Sequence, residues 1–574
     1  MNTTKYLRIG NGQAGSAVTA GGAVNTAGEL SIYNLAYYSA DAVEFWTTLT
    51  DNGGNSHPLT VNTFGSVKVD NANTYSGGTY INEGEFWCNG GGNTPFGTGP
   101  VFVFPGGRAD LGGDNGATVT NHFYIAGQGF LAASEPGAIK GIYNGTFAGL
   151  ITLAGNAQID PNAGTGTNTC TFSGGFAGTG SLTFGGPANV VAGMATLGGS
   201  CTHSGDTIVD ASANANGGSG LYLAGGKNNL LQNGGNLVLI GGSTSGRAVL
   251  DLNGTTQTVN GLVATNGTPA NALVTNSAGL AATLIVGVNS SSSSFGGALK
   301  NGGALSLAKT GGGTFTLTGT NTYTGGTAVT GGVLALSGSG SISNSATITI
   351  AAGATLDASG RPDQTFTLNS GQTLQGGGTV GVNLTVAPGA MIMPGNATNT
   401  GTLTIAGAAQ LQGATVMKLN AAAGTGDQLN ASSLTYGGTL TVTNLAGALA
   451  AGQSFELFLG SYAGHFTATN LPPLATGLLW SNSLATSGTL SVVAAVKPAP
   501  IFNRIAWSGA KLVFSGTNGT PNGPFYVLAS TNLALPIADW PVMLTNTFDA
   551  GGNFIFTNPP TSAGSQWFYL LRLQ

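Results

Sequence analysis

The chain has 574 residues, of which 99 are glycine; only 6% are charged and 41% are hydrophobic. So little charge with so much glycine is unlike ordinary globular usage, while the apolar fraction excludes the charged, apolar-poor composition of a disordered chain. A formal net charge of −5 with no massed Lys or Arg gives nucleic acid no electrostatic footing, and no apolar run reaches the ~18 residues of a membrane helix.

Met1-Asn2-Thr3-Thr4-Lys5-Tyr6-Leu7 lacks the apolar core of a signal peptide, and Tyr6 to Gly12 already reads like the middle of a repeat. The expectation is a chain that begins inside a longer secreted protein or has lost its export signal. Tyr33, Tyr37, Tyr38, Phe45 and Trp46 crowd the irregular stretch 31–70. An open stack of coils exposes unpaired strand edges, so residues 1–60 are expected to form an end rung or cap rather than a sugar-binding surface.

Residues 61–450 carry short apolar bursts separated by Gly-Gly pairs or Ser/Asn-rich turns at roughly 8 to 12 residues, a spacing that leaves no room for helices. Strict alternation in Thr314-Phe315-Thr316-Leu317-Thr318 and Thr347-Ile348-Thr349-Ile350 is the period of strands with one buried face. Strands this short cannot bury that face alone, and coiling the chain so that each turn stacks on the last solves the problem. The fold class read here is all-β, a right-handed parallel β-solenoid with a small C-terminal β domain. At roughly 20 to 25 residues per rung, the body holds ~16 to 20 rungs stacked at ~4.8 Å. Val329, Leu334, Leu336, Ile348, Ile350, Leu356, Phe366, Leu368 and Leu374 are the expected inward positions.

One signature recurs. Asn73-Thr74-Tyr75-Ser76-Gly77-Gly78-Thr79-Tyr80-Ile81 and Asn321-Thr322-Tyr323-Thr324-Gly325-Gly326-Thr327-Ala328-Val329 are two copies, and Cys201-Thr202-His203-Ser204-Gly205-Asp206-Thr207-Ile208-Val209 is a degenerate third. The segments 250–262, 390–396 and 401–405 add weight. This pattern resembles the autotransporter-associated β-strand repeat of passenger regions in large bacterial secreted and surface proteins. The resemblance implies a solenoid architecture and an extracellular or cell-surface location. It says little about activity. Within the signature, Asn73, Tyr75, Gly77, Gly78, Asn321, Tyr323, Gly325 and Gly326 read as structural, with the asparagines bonding their own backbone at a rung corner and the glycines supplying tight turns.

Residues 451–495, with Phe455 to Leu459, Gly477 to Trp480 and Gly488 to Val493, read as the C-terminal cap of the solenoid. Ala494 to Pro500 reads as a stiff linker. Residues 496–574 form a separate module with strands at 511–515, 525–529, 542–545, 553–557 and 567–573, and with Asp549-Ala550-Gly551-Gly552 as a hairpin turn. The module resembles a C-terminal β module of secreted repeat proteins from Verrucomicrobia-type bacteria, which implies sorting or surface attachment. About 75 residues are too few for a membrane barrel.

Chemistry is sparse. Glu83 and Glu85, two apart in a strand, are expected to share a face near Tyr80 and Trp87; with Tyr75 these five residues are the candidate ligand-binding set. Carboxylates keeping an exposed sheet soluble are the plainer account, and Asp206 with Asp210 reads the same way. His57, His122, His203 and His465 stand in no metal or catalytic spacing, and His203 merely replaces the signature tyrosine. Cys88, Cys170 and Cys201 read as small buried apolar residues, with a single Cys170–Cys201 bridge left open should their strands stack. No catalytic residue, metal or cofactor is expected. The function read from the sequence is an extracellular structural or adhesive rod without catalysis; the alternatives are a polysaccharide-active glycosidase or lyase, or a carbohydrate-binding protein. Extracellular polysaccharide and, through the solenoid ends, other copies of the chain are the expected partners.

Overall fold

The computed structural model describes residues 6–9, 17–19, 28–34 and 42–573, apart from short stretches at 52–54, 91, 113–115, 131–135, 142–143, 162–168, 187–192, 213–218, 224–225, 232–233, 243–245, 266–267, 497–498 and 559–565. Met1 to Lys5, Tyr37 and Tyr38 of the expected cap, and Lys497 and Pro498 of the expected linker lie outside the described residues. Strand makes up 53% of the chain and helix 2%, so backbone hydrogen bonding runs almost wholly between strands. Two compact units result: Met1–Pro473 with Ser481–Ser491, and Leu474–Trp480 with Val492–Gln574.

The first unit is a parallel β-solenoid of about 15 turns. Among the described residues, a 15-stranded and an 8-stranded sheet wall its N-terminal part, and an 11-stranded and a 10-stranded sheet wall the rest. Pairing is parallel from coil to coil, with Val329 beside Ile350, Leu334 beside Leu356, Ile348 beside Leu374 and Phe366 beside Leu384. All nine inward positions read from the alternation are buried. The coils number fewer than the expected 16 to 20 because several are longer than the assumed 20 to 25 residues, although their length varies. Thr373 pairs with Met391 after 18 residues, whereas Phe123 pairs with Ile151 after 28 and Thr207 with Leu237 after 30.

The interior changes character along the stack. From Phe86 through Phe96, Phe123, Phe147 and Phe172 to Phe176 and Phe184, buried phenylalanines touch in sequence at ring-centroid distances of 5.2 to 5.9 Å. Aromatic contacts of this kind add to the area they bury, by about 0.5–1.5 kcal/mol per pair. Beyond residue 300, leucine, isoleucine and valine predominate in the core, with Phe315 and Phe366 set among them. The last parallel pairs bring Phe458–Gly464 beside Gln428–Tyr436 and Ala468–Asn470 beside Thr439–Asn444, while Ser454 to Glu456 pair antiparallel with Ser491 to Thr489.

The second unit contains two three-stranded antiparallel sheets. Ile501–Ser508, Lys511–Thr517 and Phe554–Asn558 make one; Val542–Thr547, Pro524–Ser530 and Phe568–Leu573 make the other. Their inner faces meet in an aromatic core of Phe514, Phe525, Val527, Phe548, Phe554 and Phe556. Asp549 to Gly552 is a tight turn but not the hairpin expected, because the strands on either side of it belong to different sheets. The turn passes the chain across the sandwich, which lets Phe548 and Phe554 fill the core from opposite ends of the turn.

Candidate functional site

The repeat signature builds a rung corner that is tied to its neighbours. Asn73 is fully buried; its Oδ1 accepts from Leu49 N–H (2.9 Å) and its Nδ2 donates to Pro95 C=O (2.6 Å). Asn321 repeats the pattern, accepting from Leu299 N–H (2.9 Å) and donating to the Gly319 and Ser341 carbonyls (3.1 Å each). The expected bond to the local corner is present only as Asn321 to Gly319; the remaining bonds run farther, and each asparagine links its coil to the coils before and after. A side-chain amide can do this because it offers acceptor and donor in one plane. Tyr75 hydroxyl meets Thr79 Oγ1 at 2.7 Å and Tyr323 meets Thr327 at 2.6 Å. In the degenerate copy, His203 Nε2 makes the equivalent contact to Thr207 Oγ1 at 3.2 Å. Gly77 and Gly325 are held by close approach, since a Cβ would overlap the His57 backbone at one and the Leu305 carbonyl at the other.

Replacing Asn321 with alanine leaves the buried Leu299 N–H without its acceptor. The expected cost is about 1–3 kcal/mol, read as loss of amide-exchange protection in Leu305–Lys309 and Thr327–Val329 on either side of the corner. Protection unchanged there would show that the asparagine does not bind the coils together.

The five predicted ligand residues do not converge. Tyr75 is buried in the corner just described. Glu83 is exposed whereas Glu85 is only 5% exposed, because Gly84 between them takes φ +81° and the pairing register with Leu59–Val69 slips at this point. The shared face expected for the two glutamates is thereby broken: an irregularity of this kind shifts the alternation by one. Tyr80 stands on the outer face, in a column with Phe102 and Tyr124 at 4.7 and 4.8 Å and nearly parallel planes, ending on His122 at 4.3 Å. Rings stacked in this way cover each other's faces, leaving mainly edges for solvent and no flat platform for a sugar. Trp87 has Lys68 Nζ 4.8 Å over its ring, and that ammonium also pairs with Glu44 at 3.2 Å.

Glu85 belongs instead to a buried charge cluster carried by three successive coils. It receives Arg108 through Nε (3.0 Å) and Nη2 (2.5 Å), and Arg108 is itself 2% exposed. On the next coil Lys140 Nζ lies 3.7 Å from Asp110 Oδ2, and the strand register sets Lys140 beside both Asp110 and Asp160. Burial works against ionisation of Glu85, but the Arg108 charge, with hydrogen bonds from Asp110 and Arg108, holds its carboxyl below the ordinary range. Burial and then the Glu85 charge push Asp110 well above it. The two carboxyls are thus displaced in opposite directions, Glu85 toward the ionised form and Asp110 toward the protonated one. Asp110 favours the folded chain most below its unfolded pKa, and that contribution is lost as pH rises through its folded value; Glu85 contributes above its unfolded pKa and is lost as pH falls.

Other polar groups are likewise engaged within the fold. Ser76 Oγ donates to Asp51 Oδ2 at 2.7 Å rather than to an imidazole, so Ser76 has no imidazole as a general base. His122 Nε2 sits 2.8 Å from Thr152 Oγ1, and His465 is exposed. Asp206 and Asp210 accept backbone N–H groups of Asn236 and Ser212. Cys170 and Cys201 are free buried thiols with no bridge between them; burial raises both, Cys201 to about 12, which keeps them unreactive. Besides Arg108 and Lys140, two further buried cations escaped sequence reading. Lys309 donates to the carbonyls of Thr310, Gly311 and Gly331 at 2.6 to 3.1 Å, and Lys418 pairs with Asp427 at 2.5 Å. Among the described residues no group of three or more His, Cys, Asp or Glu could hold a metal ion.

Stacked parallel coils, corner amides that link them and an interior ladder of side chains define a β-solenoid repeat protein. Residues 66–86 and 307–336, which contain the first and last signature copies, match the family described as Passenger-associated-transport-repeat. The repeats and the solenoid together fit an autotransporter passenger-type repeat protein. No curated protein matches the chain.

Proposed function

We propose that the solenoid is a non-catalytic structural rod of an extracellular or cell-surface protein, acting as a spacer or adhesive stalk. The observation that carries this reading is the way its buried charges are arranged: Glu85, Arg108, Asp110 and Lys140 pair with one another across coils. A general acid and base must reach substrate in a cleft, and groups clamped in pairs beneath the surface do not.

Glu85 and Asp110 also support a second reading. Two neighbouring carboxyl groups displaced in opposite directions are the electrostatic form of a glycosidase pair. Against it stand the Arg108 clamp on Glu85 and the burial of both. Incubation of the full chain with plant and algal polysaccharides is expected to yield no new reducing ends and no unsaturated products. Turnover that disappears in Glu85→Gln or Asp110→Asn would replace the rod with an enzyme.

A further inference from the structure

The second unit carries a concavity of about 670 Å³ whose lining is made of uncharged side chains and one carboxylate. Asn503, Asn522, Asn546, Thr547, Asp549 and Asn553 surround it, with the core residues Phe548 and Phe554 below. Asn503, Ile555 and the pair Asn546 and Thr547 lie on strands at the edges of the two sheets, and the turn residues Asn522, Asp549 and Asn553 complete the wall. The walls are fixed before any ligand arrives. Gly519 N–H donates to Gly552 C=O (2.8 Å), Asn522 N–H to Asp549 C=O (3.2 Å) and Asp549 N–H to Asn553 C=O (2.9 Å). Asp549 Oδ1 accepts from the N–H groups of Gly551 and Asn553, 2.8 Å each, and Oδ2 from Asn553 Nδ2 at 3.0 Å.

Within this frame several exposed polar groups are left to solvent. Asn546 Oδ1 accepts from Thr547 N–H, yet its Nδ2, the whole Asn522 amide and the Thr547 hydroxyl have no intramolecular hydrogen bond among the described residues. We infer that this concavity binds a segment of neutral polysaccharide through hydrogen bonds between sugar hydroxyls and these amides. An amide presents donor and acceptor side by side, which suits adjacent hydroxyls that must both give and receive. A preformed frame avoids the cost of ordering it on binding. Acidic sugars do not fit, because no Lys or Arg lines the site and Asp549, held ionised by the backbone N–H of Asn553 and its neighbours, repels them. An extended peptide would pair with the backbone of these edge strands rather than with the side-chain amides, and gelatin in the test below reports that mode. The inference is independent of the rod reading: a rod that binds no sugar is still a rod, and an enzyme in the solenoid would leave this site unchanged.

Affinity electrophoresis of the full chain in gels cast with a neutral glucan, a mannan and a xylan is the test, with polygalacturonate and gelatin as contrasts. At least one neutral polymer is expected to retard the chain. Asn546→Ala and Asn522→Gly are each expected to weaken that binding by about tenfold, the loss typical of one or two hydrogen bonds. Glycine is chosen at position 522 because Asn522 has φ +57°, which alanine would strain. Thermal melts show whether either variant has lost its fold, and Thr547→Val on the same rim supplies a third reading if one has. Absence of retardation by every neutral polymer, retardation untouched by the variants, or equal retardation by polygalacturonate or gelatin would overturn the inference.

Discussion

Arg108→Met is expected to destabilise the N-terminal coils by about 3–5 kcal/mol, the usual cost of stranding one member of a buried ion pair. The methionine fills much of the same volume, so the loss is electrostatic: Glu85 keeps its burial and loses the guanidinium that holds it ionised. Without Arg108 the glutamate must take up a proton to remain inside. The penalty therefore shrinks as pH falls toward the unfolded carboxyl range and grows above it. The companion variant Glu85→Gln in the Arg108→Met background removes the stranded charge and should restore a large part of the loss. Solenoids unfold coil by coil, so one global midpoint is a poor measure. Amide exchange in Thr79–Cys88 and Gly107–Asp110 is the better one. A double variant no more protected than the single would show that the two side chains are not coupled.

Ile348→Asp is expected to cost more than about 4 kcal/mol, because it places an unpaired carboxylate in the dry interior. Ile348 is fully buried between Thr327 on one coil and Leu374 on the next. Thr347→Asp, one residue earlier on the outer face, should stay within about 0.5 kcal/mol. Because each coil touches only its neighbours, the damage should be local. Exchange protection is expected to fall in Thr327–Val329 and Thr373–Gly376 while Val101–Val103 is unchanged. Equal effects of the two aspartates would mean that the strand alternation has been read in the wrong phase.

The sequence was most legible where the physics is local. Thr-Ile-Thr-Ile at 347–350 and Thr-Phe-Thr-Leu at 314–317 declare which side is buried within four residues, and the structure buries those isoleucines, Phe315 and Leu317. Two signature copies were also readable as a repeat, although what their asparagines hold was not. Asn321 and Leu299 are 22 residues apart, and nothing in the chain states that a coil is that long. The same limit hid the charge cluster. Glu85 and Arg108 meet across 23 residues, and a coil a few residues longer would have set a different side chain beside the glutamate. At Glu83 and Glu85 the alternation rule itself misled, since the glycine between them shifts the phase. Ile501–Ser508 was missed because it is a sheet edge with Ile501, Ile505 and Trp507 exposed, so it lacks the alternation that marks a half-buried strand.

The hydrogen bonds between coils also bear on how this chain would carry load. They run along the direction in which the coils are stacked, so a pull between the two ends of the solenoid meets them a few at a time, as in peeling, rather than all together in shear. Such a chain yields by shedding single coils. Each coil of 21 residues, such as that from Thr327 to Ile348, releases roughly 70 Å of extended chain in exchange for ~4.8 Å of stack. Corners secured by Asn73 and Asn321 resist release more than their neighbours and become the places where peeling pauses. A tether built in this way lengthens greatly under a sudden tug while most of its coils stay wound, behaving as a damper rather than a stiff strut.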